Sequence, residues 1–279
     1  MPPVPTYFQQ TMPAISLPSE APSATRILPI RKHKFPTPKL RLYLNDIGHE
    51  GSSIFLSNTK GNDDLEEQVQ NVLGLLYTAD SVRPGTRSVT FILHPFGGVA
   101  YTTGTDLDDD HKEIHISLDY LVKVKASREE ILGVICHELV HCFQWNAKGT
   151  CNGGLIEGIA DWVRLNAGLG AKHWKQEAEG SWDGGYQHTG YFLEYLEQRF
   201  GKGTVGKINE GLRESTYDEK KLFSGCCSGK HVTELWTEYG EDLKKRRDEG
   251  NATEAEAPSG TQEQIIIPTD TPPKPAENA

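Results

Sequence analysis

Two histidines four residues apart, His137 and His141, enclose Glu138 in the segment His-Glu-Leu-Val-His. On an α-helix such positions lie about 40° apart around the axis and one turn along it, so both imidazoles can reach one ion at about 2.1 Å. Glu138 would lie on the adjoining flank, where its carboxylate can accept a proton from water held by the ion. The pattern predicts a hydrolytic Zn²⁺ centre, with both histidines as metal ligands and Glu138 as the catalytic base.

A zinc centre of this kind needs a third protein ligand, and two acids follow the histidines. Glu157 and Asp161 are four residues apart and would share one face of a second helix. The glycine-rich segment 149–154 can reverse the chain and bring that helix back against the first. The residues themselves leave both acids open as the ligand. A solvated acidic stripe completed by Arg164 is the alternative interpretation.

The helix that must carry the histidines has a recognisable start. Ser127 and Glu130 form the pattern of a capping box, in which the serine hydroxyl accepts from the amide of residue 130 and the Glu130 carboxylate returns to the amide of Ser127. Apolar residues surround the two histidines, which indicates a buried helix where polar side chains need partners. These apolar residues are Leu132, Val134, Ile135, Leu139, Val140 and Phe143.

Other segments predict the scaffold around this helix. Residues 65–77 place apolar side chains on one face at helical spacing, whereas 88–94 and 113–118 have the composition or alternation of strands. The second half of the chain is almost entirely helical in pattern. We therefore expect an α+β fold in which helices cover a sheet and the C-terminal half is mostly helical.

Composition divides the chain into three parts. Of its 16 prolines, nine lie in 1–40 and five in 258–279. We expect a disordered, proline-rich basic arm over 1–38, one domain over 39–247 and a disordered acidic tail over 248–279. The net charge of −10 and the lack of a long apolar run argue against nucleic-acid and membrane partners. We expect a monomer. No secretory signal is visible in this sequence, so we expect a cytoplasmic location.

Two longer segments resemble one family. The run His137–Asn146 (His-Glu-Leu-Val-His-Cys-Phe-Gln-Trp-Asn) and the run Gly154–Arg164 (Gly-Leu-Ile-Glu-Gly-Ile-Ala-Asp-Trp-Val-Arg) are similar to the plant basic secretory protein family, zinc peptidases of plants, fungi and bacteria. The resemblance covers about residues 40–243. It implies a zincin-like fold, with a small twisted mixed sheet, an active-site helix beneath it, and a peptide or protein substrate extended along the cleft. The family is largely secreted.

The resemblance also bears on the third ligand. In the similar gluzincin peptidases, the glutamate of a Glu-Gly-x-Ala motif on the following helix binds the metal. The segment Glu157-Gly-Ile-Ala160 matches that motif. This implies Glu157 as the third zinc ligand, with Asp161 as the alternative. The acid that does not bind the metal would orient a histidine.

The expected reaction is cleavage inside a peptide chain, because no motif for binding a substrate amine is visible. Tyr186 is the first candidate for the donor that stabilises the oxyanion, with His188 and Tyr191 as alternatives from the same segment. His115, on a predicted strand, could line the cleft, although packing is the favoured interpretation. A catalytically inactive zincin-fold protein of binding or defence type is the alternative. The intact Glu138 weighs against it, since such a protein needs no base beside the metal.

Overall fold

The computed structural model describes residues 35–106 and 108–256, with side chains described as far as Glu249. Within these residues, four strands form one mixed sheet and nine helices pack around it. This confirms the predicted mixture of α and β structure with a mostly helical second half. The strands are β1 (Lys39–Leu44), β2 (Ser88–His94), β3 (Ala100–Gly104) and β4 (His111–Ser117). The helices are α1 (Glu50–Asn58), α2 (Asn62–Leu76), α3 (Leu118–Lys123), α4 (Arg128–Phe143), α5 (Gly153–Asn166), α6 (Tyr186–Phe200), α7 (Thr204–Gly211), α8 (Glu219–Cys226) and α9 (Val232–Glu256).

The strands are ordered β1-β2-β4-β3. β1, β2 and β4 run parallel, whereas β3 pairs antiparallel with β4 and forms an edge of the sheet. The predicted strands 88–94 and 113–118 correspond to β2 and β4. β4 ends one residue early because the Ser117 side chain caps α3 by accepting from the amide of Tyr120. The sequence pattern did not indicate β1 and β3, whose side chains are largely exposed.

One face of the sheet packs against helices and forms the core; we call it the inner face. Alternate residues of the central strands, Phe91 and Leu93 in β2 and Ile114 and Ile116 in β4, are at most 1% exposed. The predicted helix at 65–77 is confirmed as α2, and its apolar stripe joins the same core. The core also includes Val69, Val72 and Leu73 of α2 and Ile135, Leu139 and Val140 of α4.

Only one of the two predicted capping hydrogen bonds is present at the N-terminus of α4. The Ser127 hydroxyl accepts from the backbone amide of Glu130 at 3.3 Å. The reciprocal half of the predicted capping box is wrong. The Glu130 carboxylate instead accepts from the Tyr120 hydroxyl at 2.7 Å and from Arg164 at 2.9 Å. A backbone amide and a guanidinium can both donate to this carboxylate, but the positive charge of Arg164 adds an ion pair to the hydrogen bond, so Arg164 outcompetes the local amide.

Both ends of α4 are tied to the region of α2. At its first residue, Arg128 makes two hydrogen bonds of 2.6 Å each to Asp64 of α2, whose side chain is buried. At the other end, the Tyr77 hydroxyl donates to the backbone oxygen of Phe143. The helix that carries the two histidines is therefore fixed in position along its length.

The predicted domain boundaries stay predictions. Residues 1–34 and 257–279, which make up most of the predicted arm and tail, lie outside the described residues. Phe35 is described, and it is buried against the core. α9 continues to Glu256, past the predicted boundary at 248. None of the helices in the described part of the chain is long and apolar enough to cross a membrane.

Candidate metal centre

α4 and α5 bring three side-chain atoms together. The Nε2 atoms of His137 and His141 are 3.3 Å apart, and Glu157 Oε2 lies 3.1 Å from the first and 3.7 Å from the second. Ligands at tetrahedral angles are about 3.4 Å apart when each is about 2.1 Å from a zinc ion. The three atoms thus have the spacing of ligands of one tetrahedral ion. No other group of three His, Cys, Asp or Glu residues converges in this way within 35–106 and 108–249.

The chain reverses between the two helices, as the glycine-rich segment predicts. Ala147, Lys148 and Gly149 have φ angles of 52°, 57° and 78°, in the left-handed region. Consecutive residues of this kind turn the backbone sharply and bring α5 back to α4. Asn152 then caps α5 by accepting from the amide of Leu155 at 3.1 Å. This turn is what brings the acids of α5 to the histidines of α4.

Each histidine is held through its other ring nitrogen. His137 Nδ1 lies 2.7 Å from Oδ1 of the buried Asp161. His141 Nδ1 lies 3.0 Å from Gln144 Oε1, and the Gln144 amide also donates to the backbone oxygen of Ile156 on α5 at 3.2 Å. These contacts favour a proton on each Nδ1 and leave each Nε2 free to bind. The sequence alone did not predict this role for Gln144, although its spacing of three from His141 is compatible with such a contact.

Burial and charge act on the two imidazoles in different ways. Burial lowers the pKa of His137, but hydrogen bonds with Asp161 and Glu157 outweigh it and raise that pKa to about 9. Burial and the neighbouring His137 lower the pKa of His141 to about 4. The surrounding acids therefore favour one positive charge on this pair of imidazoles, and the two rings oppose a second.

Glu138 is buried where α4 meets the edge strand β3. Burial raises the pKa of its carboxyl group, and the charge of His137 and a hydrogen bond with Thr102 oppose that shift. The Thr102 hydroxyl lies 2.7 Å from Glu138 Oε2 and 3.0 Å from the Glu138 backbone oxygen. Thr102 is not recognisable from the sequence, because no local spacing connects a residue of β3 to Glu138, 36 residues further along the chain.

Tyr186 begins α6 beside the centre. Its ring is nearly parallel to that of His137, with centroids 6.0 Å apart and an interplanar angle of 13°. The charge of Glu157, followed by burial, raises the pKa of the Tyr186 phenol, so its hydroxyl stays protonated and can donate at neutral pH. Its φ of 47° lies in the left-handed region, where non-glycine residues are uncommon and often functional.

A close contact between α5 and α6 sets the position of Tyr186. A Cβ on Gly158 would lie 2.3 Å from Cγ2 of Thr189 on α6. The Thr189 hydroxyl in turn accepts from the amide of Gly185 at 2.9 Å and donates to the backbone oxygen of Trp182 at 2.7 Å. The residue after Glu157 must therefore be small for the start of α6 to pack beside the centre.

The two alternative donors lie elsewhere. His188 Nε2 is 2.9 Å from the backbone oxygen of Ser181, and its ring packs on Trp236. Tyr191 packs edge-on against Trp174. Neither His188 nor Tyr191 lines the cavity that contains the centre, whereas Tyr186 does.

The centre opens into a cavity of about 720 Å³. Residues from β3, α4, α5, the segment 171–174 and the start of α6 line it. The lining includes Arg164, whose guanidinium donates a hydrogen bond of 2.9 Å to Oε2 of Glu130. Arg164 and Asp161 are 7% and 3% exposed. The alternative interpretation, a solvated acidic stripe completed by Arg164, is therefore wrong.

Comparison with known families gives one match. The model of the BSP family, described as a peptidase of plants and bacteria, matches residues 37–239. The match extends from β1 to the first turns of α9 and so includes every residue of the centre. Comparison with curated proteins gave no match. Comparison with solved structures gave none either.

Proposed function

The chain belongs to this family of peptidases of plants and bacteria, and on that premise we propose that it is a zinc-dependent endopeptidase. The observation that carries the proposal is the convergence of two imidazole nitrogens and one carboxylate oxygen beside the buried Glu138. Nitrogen and oxygen donors of these types suit Zn²⁺. Three protein ligands leave one position open, which is typical of catalytic rather than structural zinc sites.

In this proposal Glu157 is the third ligand and Asp161 orients His137. The support is the ring nitrogen that each acid meets: Glu157 faces Nε2 of His137 at 3.1 Å, whereas Asp161 meets Nδ1 at 2.7 Å. A carboxylate on the nitrogen away from the metal fixes the tautomer of a ligating histidine and makes it more basic.

We assign the fold to the zincin-like class on two features. α4 packs against the inner face of a small mixed sheet, and Thr102 of the antiparallel edge strand β3 reaches Glu138. Within the described residues β3 pairs with β4 alone, so its other edge offers backbone groups to an extended peptide. This supports a substrate that runs along β3 and past the centre.

Zn²⁺ held by His137, His141 and Glu157 would polarise the substrate carbonyl and lower the pKa of a bound water to about 7. Glu138 accepts the proton of the attacking water and passes it to the departing amine. Thr102 holds the Glu138 carboxylate during both transfers. The Tyr186 hydroxyl donates to the substrate oxygen as that oxygen gains negative charge.

The test combines zinc content, measured by elemental analysis, with digestion of peptides blocked at the amino terminus. The full chain should hold about one tightly bound zinc ion and cut inside the blocked peptides, which an aminopeptidase cannot do. Glu138→Gln should keep the zinc and lose roughly 10²–10⁴-fold in hydrolysis rate. Glu157→Gln should lose the zinc. The matched control is Glu129→Gln, an exposed glutamate of α4 outside the cavity, which should behave as wild type.

Each of the other possible results changes the proposed function or the assigned ligands. A wild-type chain that holds zinc and cuts none of the peptides is a binding protein with an intact metal centre. If Glu157→Gln keeps its zinc and Asp161→Asn loses it, Asp161 is the ligand. A wild-type chain without zinc contradicts the proposal as a whole.

A further inference from the structure

A second pair of histidines lies on the face of the sheet opposite α4, which we call the outer face. His94 ends β2, and His115 lies in β4 opposite Tyr101 of β3. Successive residues of a strand point to opposite faces. Because Ile114 and Ile116 are buried on the inner face, His115 between them points outward. His115 therefore does not line the cleft, which leaves the packing interpretation and raises the question of what the pair does.

The outer pair has nearly the same geometry as the pair on α4. His94 Nε2 and His115 Nδ1 are 3.1 Å apart, and their rings have centroids 5.2 Å apart at 83°. For His137 and His141 the corresponding values are 3.3 Å, 5.0 Å and 82°. Two nitrogens that bind one ion at about 2.0–2.1 Å are about 2.9–3.4 Å apart for angles between 90° and 109°. Both pairs meet that condition.

A carboxylate supports the outer pair in the same way as it supports the inner one. Glu113 Oε2 lies 3.4 Å from His115 Nε2, as Asp161 lies against the far nitrogen of His137. This contact favours a proton on His115 Nε2. The other ring nitrogen, Nδ1, then carries a free lone pair, and it faces His94. The nitrogen nearest His94 is thus the one prepared to bind a cation.

Aromatic rings fix the two imidazoles in place. Tyr101 stacks on His115 with centroids 4.5 Å apart and an angle of 5°, and Phe96 stacks on His94 at 4.7 Å and 28°. Stacked rings restrict rotation of the side chains, so little conformational entropy is lost when an ion binds. The outer pair is therefore organised in advance for a ligand.

We propose that His94 and His115 form a second metal site, which binds one divalent transition-metal ion of the Cu²⁺, Ni²⁺ and Zn²⁺ class. Within the described residues no third His, Cys, Asp or Glu converges on the pair, so water or a small chelating ligand completes the coordination. Two imidazoles bind these ions in the order Cu²⁺ above Ni²⁺ and Zn²⁺, and more weakly than the three ligands on α4 and α5. This site is independent of the proposed peptidase activity.

The test uses Ni²⁺ nitrilotriacetate, a chelate with two adjacent open positions that two histidines can fill. Equilibrium dialysis of the full chain carrying His141→Gln, in which the centre on α4 lacks one ligand, should show binding that a second substitution, His94→Gln or His115→Gln, weakens at least about tenfold. The binding that remains in His141→Gln alone separates this site from the centre on α4. The matched control adds His231→Gln, an exposed histidine in the described part of the chain, to the same background and should bind as His141→Gln alone.

Two further measurements keep the result decisive. Thermal melting shows whether each variant is folded, and Glu113→Gln weakens the site without removing a ligand, again by about tenfold or more. If His141→Gln does not bind the chelate, or if the folded variant that also carries His115→Gln binds it as tightly as His141→Gln alone, the outer histidines are a hydrogen-bonded pair only and the proposal is wrong.

Discussion

The floor and the rim of the cleft are built in different ways. The floor consists of His137, His141 and Glu157 on α4 and α5, held from behind by buried or bonded side chains. The rim consists of Thr102 on an edge strand and Tyr186 at the start of α6. Tyr186 is 56% exposed. In our proposal the floor binds the cation, whereas the rim acts on the base and on the substrate. Variants of the floor should therefore change metal affinity, and variants of the rim should change rate alone.

Among the variants that test this difference between floor and rim, removal of the Tyr186 hydroxyl should change the rate most. Tyr186→Phe keeps the ring beside His137 but removes the donor to the developing oxyanion, so kcat should fall by roughly 10²–10³-fold. Zinc content should not change, because Tyr186 is not a ligand. The control is Tyr191→Phe on the same helix, outside the cavity, which should keep full activity. A loss in Tyr191→Phe and none in Tyr186→Phe would show that the donor is misassigned.

Asp161→Asn should lower the metal affinity of the floor. The substitution keeps the side-chain shape but removes the negative charge behind His137, and such changes weaken metal binding by roughly 10–100-fold. Competition with a chelating dye measures this affinity, with the exposed Asp63→Asn of α2 as control. Excess zinc should restore the activity of Asp161→Asn and should not restore that of Tyr186→Phe. Rescue of both variants, or of neither, would remove the distinction between floor and rim.

Gly158 joins the floor to the rim, so an added methyl group there should destabilise the fold. Gly158→Ala would place a Cβ 2.3 Å from Thr189 Cγ2, and overpacking of this kind costs about 1–3 kcal/mol in the free energy of unfolding. Gly74→Ala in α2 is the matched control, since its Cβ would meet nothing within 4 Å. It should stabilise the chain by about 0.5–1 kcal/mol. Urea unfolding measures both, and equal effects would show that α5 and α6 can separate to admit the methyl group.

The floor was largely predictable because helix periodicity is local. The spacing of His137 and His141 by itself places two imidazoles on one face, and the turn before α5 shows in its glycines. The same periodicity could not separate Glu157 from Asp161, because both lie on one helical face. Which ring nitrogen of His137 each acid meets depends on how α5 packs across α4, and this is a tertiary property.

The rim was less predictable because it depends on contacts between distant parts of the chain. Tyr186 was indicated by residue type within a glycine-rich segment, but Thr102 was not, since β3 is short and its side chains are largely exposed. Glu130 shows the same limit inside α4. Its local pattern predicts a bond to the Ser127 amide, whereas Tyr120 and Arg164, brought close by the fold, take both carboxylate oxygens instead.

Thr102 gives the smallest and most specific test of the comparison. Thr102→Val keeps the shape of the side chain but removes the hydroxyl 2.7 Å from Glu138 Oε2. Loss of one hydrogen bond to a charged group should lower kcat by about tenfold, with KM and zinc content unchanged. Thr102→Ser restores the hydroxyl and should recover most of the rate. Equal losses in the two variants would mean that Thr102 acts through the packing of β3, and the rim would then position the substrate rather than the base.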